Sequence, residues 1–173
     1  MILLDLNQVM ISNLMMQLQN NNDEIEEGMI RHMVLNSIRL YNVKFGEKYG
    51  EMIIACDDKN YWRKDIFPYY KAHRKADRES STLDWNNIFT ILNKIRDELK
   101  ETFPYKVIQI DRAEADDIIG IITKYLYNTN NYDNIYIITN DNDYLQLNYN
   151  DNIHLYNYSC KNLKDKSLGS REK

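Results

Sequence analysis

The sequence predicts an α/β domain of three layers, with helices flanking a mostly parallel central sheet. Three observations carry that prediction. Short apolar, β-branched runs recur at Ile2-Leu3-Leu4, Met52-Ile53-Ile54-Ala55-Cys56, Val107-Ile108-Gln109-Ile110 and Ile135-Tyr136-Ile137-Ile138-Thr139, and unbroken apolar runs mark strands buried on both faces. Helix-length segments separate them, as crossovers between parallel strands require. Each run also ends in acid: at Asp5, at Asp57 and Asp58, through Asp111 at Glu114, Asp116 and Asp117, and at Asp141 and Asp143.

The elements follow in order. After the first strand, residues 7–19 carry Val9, Met10, Leu14 and Leu18 at roughly helical spacing, and Asn20-Asn21-Asn22-Asp23 interrupt the pattern. Residues 24–45 read as a long helix with Ile30, Met33, Val34, Ile38 and Tyr41 on one stripe, closed by Gly46 and Gly50 before a second strand over 51–57. Residues 58–80 are irregular, aromatic and basic, with Pro68 inside. Ser80, Ser81 and Thr82 offer an N-cap for a helix over 83–102, whose stripe is Trp85, Ile88, Phe89, Leu92, Ile95 and Leu99. Pro104 ends it before the third strand; a fourth helix covers 113–127, a turn-rich loop 128–134, and residues 153–156 form a short fifth strand. From Lys161 the chain is Lys-rich without apolar periodicity and is expected to fray. The expected organisation is one domain over 1–160, with an insertion at about 58–82, and a basic, flexible tail over 161–173.

At 173 residues the chain is long enough for one real core. A net charge of -4 decides nothing about an anionic partner, but the distribution does. Between Lys59 and Arg78 seven Lys or Arg face only Asp65 and Asp77, so a basic segment sits between acidic strand ends. Cys56 and Cys160 give neither a disulfide framework nor zinc spacing, and Cys56 is expected in the core. No apolar stretch spans a membrane and no signal peptide precedes Asp5, so a cytoplasmic protein is expected, in the host cytoplasm if phage-encoded.

Taken singly, each acid has a plain structural explanation. Asp5 and Asp57 suit caps at strand-to-helix junctions, Asp111 a cap or turn, and Asp58 a solvated position. The clusters exceed that need. Glu114-Ala115-Asp116-Asp117 places three acids at one helix start, more than a macrodipole of about half a charge requires. Asp141-Asn142-Asp143 repeats the two-apart spacing, which in extended backbone puts both carboxylates on one side. Parallel sheets bind ligands beyond the carboxyl ends of their strands. Acids from four strands would meet there, and their repulsion calls for a multivalent cation. Oxygen-only ligands select Mg²⁺ or Mn²⁺. Two such ions ~3.5–4 Å apart suit phosphodiester hydrolysis, one activating the attacking water and the other stabilising the leaving oxygen. No Ser-His-Asp pattern, P-loop or Gly-rich dinucleotide loop competes.

The basic segment, Tyr61-Trp62-Arg63-Lys64-Asp65-Ile66-Phe67-Pro68-Tyr69-Tyr70-Lys71-Ala72-His73-Arg74-Lys75, interleaves rings with cations. Phosphates need the cations, and exposed bases stack on rings for ~1–3 kcal/mol each. Tyr70, Lys71 and Arg74 lie within about one helical turn and suit one nucleotide. An amphipathic helix that buries its rings and solvates its cations is the alternative.

Together these residues resemble the 5′-nuclease superfamily, which includes flap endonucleases and the exonuclease domains of bacterial DNA polymerases, and they come nearest to its T-even-phage ribonuclease H branch. The likeness runs in order through Leu-Leu-Asp5, Cys-Asp57, Tyr-Trp-Arg63, Tyr-Tyr-Lys71 with Arg74, Glu114-Ala-Asp116-Asp117 and Thr-Asn-Asp141-Asn-Asp143, with Arg31 to Ile38 and Arg78 to Trp85 also similar. It implies a PIN-like N-terminal catalytic domain with a helical arch at about 58–82. By the same resemblance Asp5, Asp57, Glu114 and Asp116 hold a first Mg²⁺, and Asp141 and Asp143 hold or orient a second, with Mn²⁺ able to substitute. Asp117 stands behind them. Tyr70 stacks on substrate, Lys71 and Arg74 act with Asp116 at the scissile phosphate, and Arg63, Lys64 and Lys75 contribute to binding. The implied activity is 5′-to-3′ exonuclease and flap cleavage, including primer removal, on DNA or RNA–DNA hybrids with a 5′ end or flap. Family members continue into a helical region with a Gly-Asp-x-x-Asp-Asn motif, which is absent up to Lys173. The resemblance is therefore to an N-terminal half, with the remainder expected on a separate chain or lost. Three rivals stay open: a nucleic-acid-binding fragment without turnover, a PIN-like ribonuclease, and a metal-free phosphate-binding regulator.

Overall fold

The computed structural model describes residues 1–20, 24–130 and 134–163. Five strands, β1 (Ile2–Asp5), β2 (Met52–Cys56), β3 (Lys106–Gln109), β4 (Ile135–Ile138) and β5 (Ile153–Tyr156), form one sheet in the order β3-β2-β1-β4-β5. Every neighbouring pair is parallel, with Leu3 opposite Ile53 on one side and Ile137 on the other. The connections are α1 (Leu6–Asn20), α2 (Glu27–Tyr49), α3 (Arg63–Ile66), α4 (His73–Glu79), α5 (Trp85–Thr102), α6 (Ala115–Thr129) and a 3₁₀ turn, Asn142–Leu147.

Alternation along the strands divides the core in two. Ile2, Leu4, Ile54, Cys56 and Ile138 pack under α1, α2 and α5, whereas Leu3, Ile53, Ala55, Ile137 and Leu155 pack under α6. Ile2, Leu3, Leu4 and Ile54 are fully buried, so truncating any of them to Ala would cost about 2–5 kcal/mol. Helix α2 contributes Ile30, Val34, Ile38, Tyr41 and Phe45 on one face. The strand order reverses beside β1: the chain builds outward through β2 and β3, then returns to place β4 on the other side. Such a reversal opens a crevice at the carboxyl ends, where ligands bind in folds of this class.

Several boundaries differ from the sequence expectation, each for a local reason. Gly46 lies inside α2, where its carbonyl accepts the Gly50 amide at 2.8 Å, and Gly50 alone ends the helix, at φ 83°. Asp84, not Ser80, Ser81 or Thr82, caps α5, accepting the Asn86 and Asn87 amides at 3.1 Å; Ser81 is used one step earlier, on the Leu83 amide. Phe89 is 42% exposed, and Ile91 takes its expected place on the buried face of α5. Helix α6 begins at Ala115, because Glu114 is its extended N-cap. The segment over 58–80 contains two short helices, α3 and α4, neither of which buries a residue. Lys161–Leu163, assigned to the tail, instead pack on β5: the Leu163 amide donates to the Leu155 carbonyl at 2.8 Å and the Leu163 side chain is buried. Residues 21–23, 131–133 and 164–173, and with them the polar break and the rest of the tail, lie outside the described residues. Cys56 is buried in the core. Among the described residues no helix is long and apolar enough to cross a membrane.

Candidate active site

A cleft of about 1070 Å³ opens at the carboxyl edge, with Asp5, Asp57, Glu114, Asp116 and Asp141 at one end. The sheet edge places these acids: Asp5 is the last residue of β1, Asp57 directly follows β2, Glu114 and Asp116 stand at the start of α6 after β3, and Asp141 lies just beyond β4. Asp5 closes β1 and is 5% exposed. Its Oδ1 accepts the Gln8 amide at 3.2 Å and its Oδ2 accepts the Tyr144 hydroxyl at 3.0 Å. Burial, then the charge of Asp57 beside it, pushes its carboxyl up to about 7. Asp57 accepts the Ala115 amide at 2.7 Å through Oδ1 and the Asn7 amide side chain at 3.0 Å through Oδ2. It therefore satisfies the first amide of α6 and faces Asp5 at once, and burial raises its pKa. Asp141 accepts the Asp143 amide at 2.9 Å and the Gln8 side chain at 3.1 Å. Asp143 is exposed and lies outside the cleft lining.

On the α6 side the acids are answered by cations. The Glu114 carboxylate, 2% exposed, meets Lys71 Nζ at 2.5 Å, Arg63 Nη1 at 2.7 Å and the Tyr70 hydroxyl at 2.9 Å. Asp117 takes both arms of Arg63 at 2.7 and 2.8 Å and the Trp62 indole N–H at 2.9 Å, while accepting the Glu114 amide at 3.1 Å. Burial alone would raise the pKa of Asp117, but these donors hold it below the usual carboxylate range. Asp116 stands between them. Its Oδ1 is buried without a hydrogen-bond partner, 3.7 Å from Arg63 Nη2, and burial raises its pKa.

The arch is fastened where these cations leave it. Asp58 is not simply solvated: its Oδ2 accepts the Asn60 and Arg112 amides at 3.1 and 3.2 Å, and the Trp62 amide donates to the Arg112 carbonyl at 3.0 Å. Lys71 has φ 54°, a left-handed backbone that costs a residue with a Cβ about 1–2 kcal/mol. So Tyr70, Lys71 and Arg74 do not share one regular helical turn: α4 begins only at His73. Desolvation would lower the Lys71 pKa, but its contact with Glu114 raises it overall.

The sequence-predicted residues thus divide into groups. Asp5, Asp57, Glu114, Asp116 and Asp141 converge on the cleft, joined by Lys64, Lys71 and Arg74. Arg63 is spent on Glu114 and Asp117. Lys64 stands 4.7 Å over the Tyr61 ring, and the exposed Lys75 pairs with Glu79 at 3.7 Å. Lys71 stands 5.0 Å over the Tyr70 ring. Sequence reasoning missed Asn7, Gln8, Tyr144 and Tyr158. Gln8 is a hub: its Oε1 accepts from Thr139 Oγ1, the Asn140 amide and the Tyr158 hydroxyl at 3.2, 3.3 and 3.0 Å, while its Nε2 reaches Asp141. Two amides directly after Asp5, at a helix start, were a usable signal. Nothing local marks Tyr144 or Tyr158.

These residues fit a hard divalent cation. The donors are all carboxylate oxygens, Glu114, Asp116 and Asp117 each offer one within 4.8 Å of the others, and the Asp116 oxygen without a hydrogen bond is the kind of buried polar atom that an ion satisfies.

Known proteins are similar to this chain in sequence and in fold. The family model for the 5′-3′ exonuclease N-terminal, resolvase-like domain matches residues 1–172. A ribonuclease H of Enterobacteria phage T4 is 38% identical over 149 residues, covering 84% of this chain and 48% of that protein. A 5′-3′ exonuclease of Buchnera aphidicola is 30% identical over 140 residues, covering 81% of this chain and 45% of its own length. Among solved structures, T5 5′-exonuclease with bound zinc superposes with a TM-score of 0.70 at 20% identity, covering 94% of this chain and 56% of that one. A bacteriophage T5 flap endonuclease in complex with DNA and metal ions gives 0.73 at 18% identity, covering 97% and 59%. At these identities the structural likeness speaks for the fold. The chain spans about half the length of the curated relatives it matches.

Proposed function

We propose that the acidic cleft is a metal-dependent nuclease site acting at 5′ ends or flaps, and the premise is family: the chain belongs to the 5′-3′ exonuclease N-terminal, resolvase-like domains. The observation that carries the reading is the convergence of Asp5, Asp57, Glu114, Asp116 and Asp141 on one cleft rimmed by Lys71 and Arg74. Asp5, Asp57, Glu114 and Asp116 would hold a first Mg²⁺, and Asp141 would hold a second, oriented by the Asp143 amide that it accepts, with Mn²⁺ substituting. Such ions supply water activation and neutralise charge on the leaving oxygen.

The chain's own residues do the rest. Lys71 rests on Glu114 and is placed to transfer to a substrate phosphate once that carboxylate has another counter-charge. Arg74, on the same rim, clamps the phosphate with it. Tyr70 offers a ring for the adjacent base, while Lys64 and Lys75 screen neighbouring phosphates. Asp117 holds Arg63 and Trp62 against α6 and so keeps Glu114 aimed at the cleft. The substrate class is DNA or an RNA–DNA hybrid with a 5′ end or flap, as in primer removal, in the cytoplasm. A second chain carrying the remaining helical region is the partner that would add grip on duplex.

The test is cleavage of a 5′-labelled flap duplex at low salt with Mg²⁺ or Mn²⁺, beside an EDTA control and Asp116→Asn. Cleavage lost in both controls supports the reading. Salt-sensitive binding with no cleavage in any metal, even after addition of a chain carrying the family's helical C-terminal region, overturns it in favour of a binding fragment.

A further inference from the structure

The cleft does not end at the acids. It continues along α5 to Trp85 and Phe89, where its wall turns apolar and its rim stays basic. Phe89 is 42% exposed, although its spacing fits a core stripe. Its ring centroid lies 5.8 Å from that of Trp85, and the Arg78 guanidinium stands 5.6 Å over it. The Trp85 indole N–H is buried with no acceptor, which costs a native fold about 1–3 kcal/mol. Met10, Ile11 and Leu92 floor the intervening stretch, and Arg74 and Arg78 border it. Of the nearby acids, Asp84 is spent capping α5 and Glu79 pairs with Lys75, leaving Asp77 on the lining. An apolar floor with cations along its edge is complementary to a single strand whose bases face in and whose phosphates face out.

We propose that Trp85, Phe89 and Arg78, on the lining of the cleft that also holds the acids, form a base-stacking subsite for single-stranded nucleic acid. A base stacks on Phe89 beside Trp85, and Arg78 swings from the ring to the phosphate of that nucleotide. The proposal rests on the nuclease reading for the direction of the strand, which would run from this subsite to the acids. It does not need turnover.

The experiment measures anisotropy of a labelled thymidine oligonucleotide of about twelve nucleotides, and of a matched abasic oligomer, in Ca²⁺ at low salt. The full chain, Phe89→Ala, Phe89→Tyr and Arg78→Gln are compared. The wild type is expected to bind the thymidine strand about tenfold more tightly than the abasic one. Phe89→Ala should lose most of that difference with little change on the abasic strand, and Phe89→Tyr should restore it. Arg78→Gln should weaken both strands and flatten the salt dependence. Since both side chains are solvent-facing, the variants are expected to fold, and matching thermal melts check that. Equal binding of the two strands by the wild type, or a Phe89→Ala variant that keeps the full difference, overturns the subsite. Parallel cleavage assays in Mn²⁺ separate the two readings. Cleavage without any dependence on Phe89 leaves the nuclease standing and removes the subsite. Phe89-dependent binding without cleavage does the reverse.

Discussion

The two sides of the acidic cleft are neutralised in different ways. On the α6 side Glu114 and Asp117 are met by full positive charges, Arg63 and Lys71, delivered by long side chains from a segment whose short helices bury nothing. On the β1–β4 side Asp5 and Asp141 are met by neutral dipoles, from Gln8 and the buried Tyr144. Charge supplied by the arch is exchangeable, because Arg63 and Lys71 can leave at the cost of re-ordering a lightly packed segment. Dipoles supplied from α1 and the 3₁₀ turn are fixed by the core behind them. One side is thus built to trade counter-ions and the other to hold a geometry.

The largest effect should come from Asp116, which neither group of partners satisfies fully. Asp116→Asn removes a charge from a crowded cluster, so the thermal midpoint should hold or rise while cleavage of a flap duplex falls by about a hundredfold or more. Parallel melts and cleavage rates check this. A variant that loses stability and activity together would mean that Asp116 is structural.

Arg63→Ala comes next. It leaves Glu114 nearly buried with one cation instead of two, and breaking such a buried pair costs about 3 kcal/mol. If α6-side charge is exchangeable, Mn²⁺ at about a hundred times its dissociation constant should return most of the loss, since binding to the folded state alone is then worth ~2.7 kcal/mol. Denaturant melts with and without Mn²⁺ measure it. A deficit untouched by metal would show that Arg63 serves the arch and not the charge balance.

This comparison also explains what could be seen in the sequence. The acids were legible because Asp5, Asp57 and Asp141 follow buried apolar runs that period and composition reveal, and Glu114 stands in a cluster of acids at a helix start, although β3 before it is an edge strand that is only half-buried. The α6 side was half legible: the basic, aromatic composition of 58–80 stood out, but it suggested a substrate for Arg63, which the fold gives to Asp117 and Glu114 instead. Ion pairs across 51 and 54 residues leave no local trace. The dipole side was nearly illegible. Tyr144 looks like any apolar turn residue until β4 carries it to Asp5, 139 positions away in sequence. Phe89 failed for a different reason: its spacing suits a core stripe, but the wall beside it is the cleft.

Tyr144→Phe probes the fixed side with a smaller effect. It keeps the ring and removes one hydrogen bond to a buried carboxylate, for a loss of about 1–2 kcal/mol. Mn²⁺ should recover less of it than of the Arg63 deficit, because the missing group is a positioning dipole. Equal recovery in the two variants would erase the distinction between the sides.

Gln8→Glu is the finest probe, because it changes one atom type at the point where the β1–β4 side faces Asp141. The remaining Oε1 still accepts from Thr139, the Asn140 amide and Tyr158, so the scaffold around it is kept. The group facing Asp141 Oδ2, now 3.1 Å away as a donor, becomes a second negative oxygen. Without metal the two carboxylates repel, and a fall of about 1 kcal/mol is expected in EDTA. If Asp141 takes part in holding an ion, the added acid strengthens that site. Mn²⁺ should then stabilise Gln8→Glu more than the wild type, and calorimetric titration should show tighter uptake. If Asp141 serves only the loop, metal leaves the deficit in place and uptake is unchanged. The fixed side would then be purely architectural, with cation binding confined to the acids that the arch already covers.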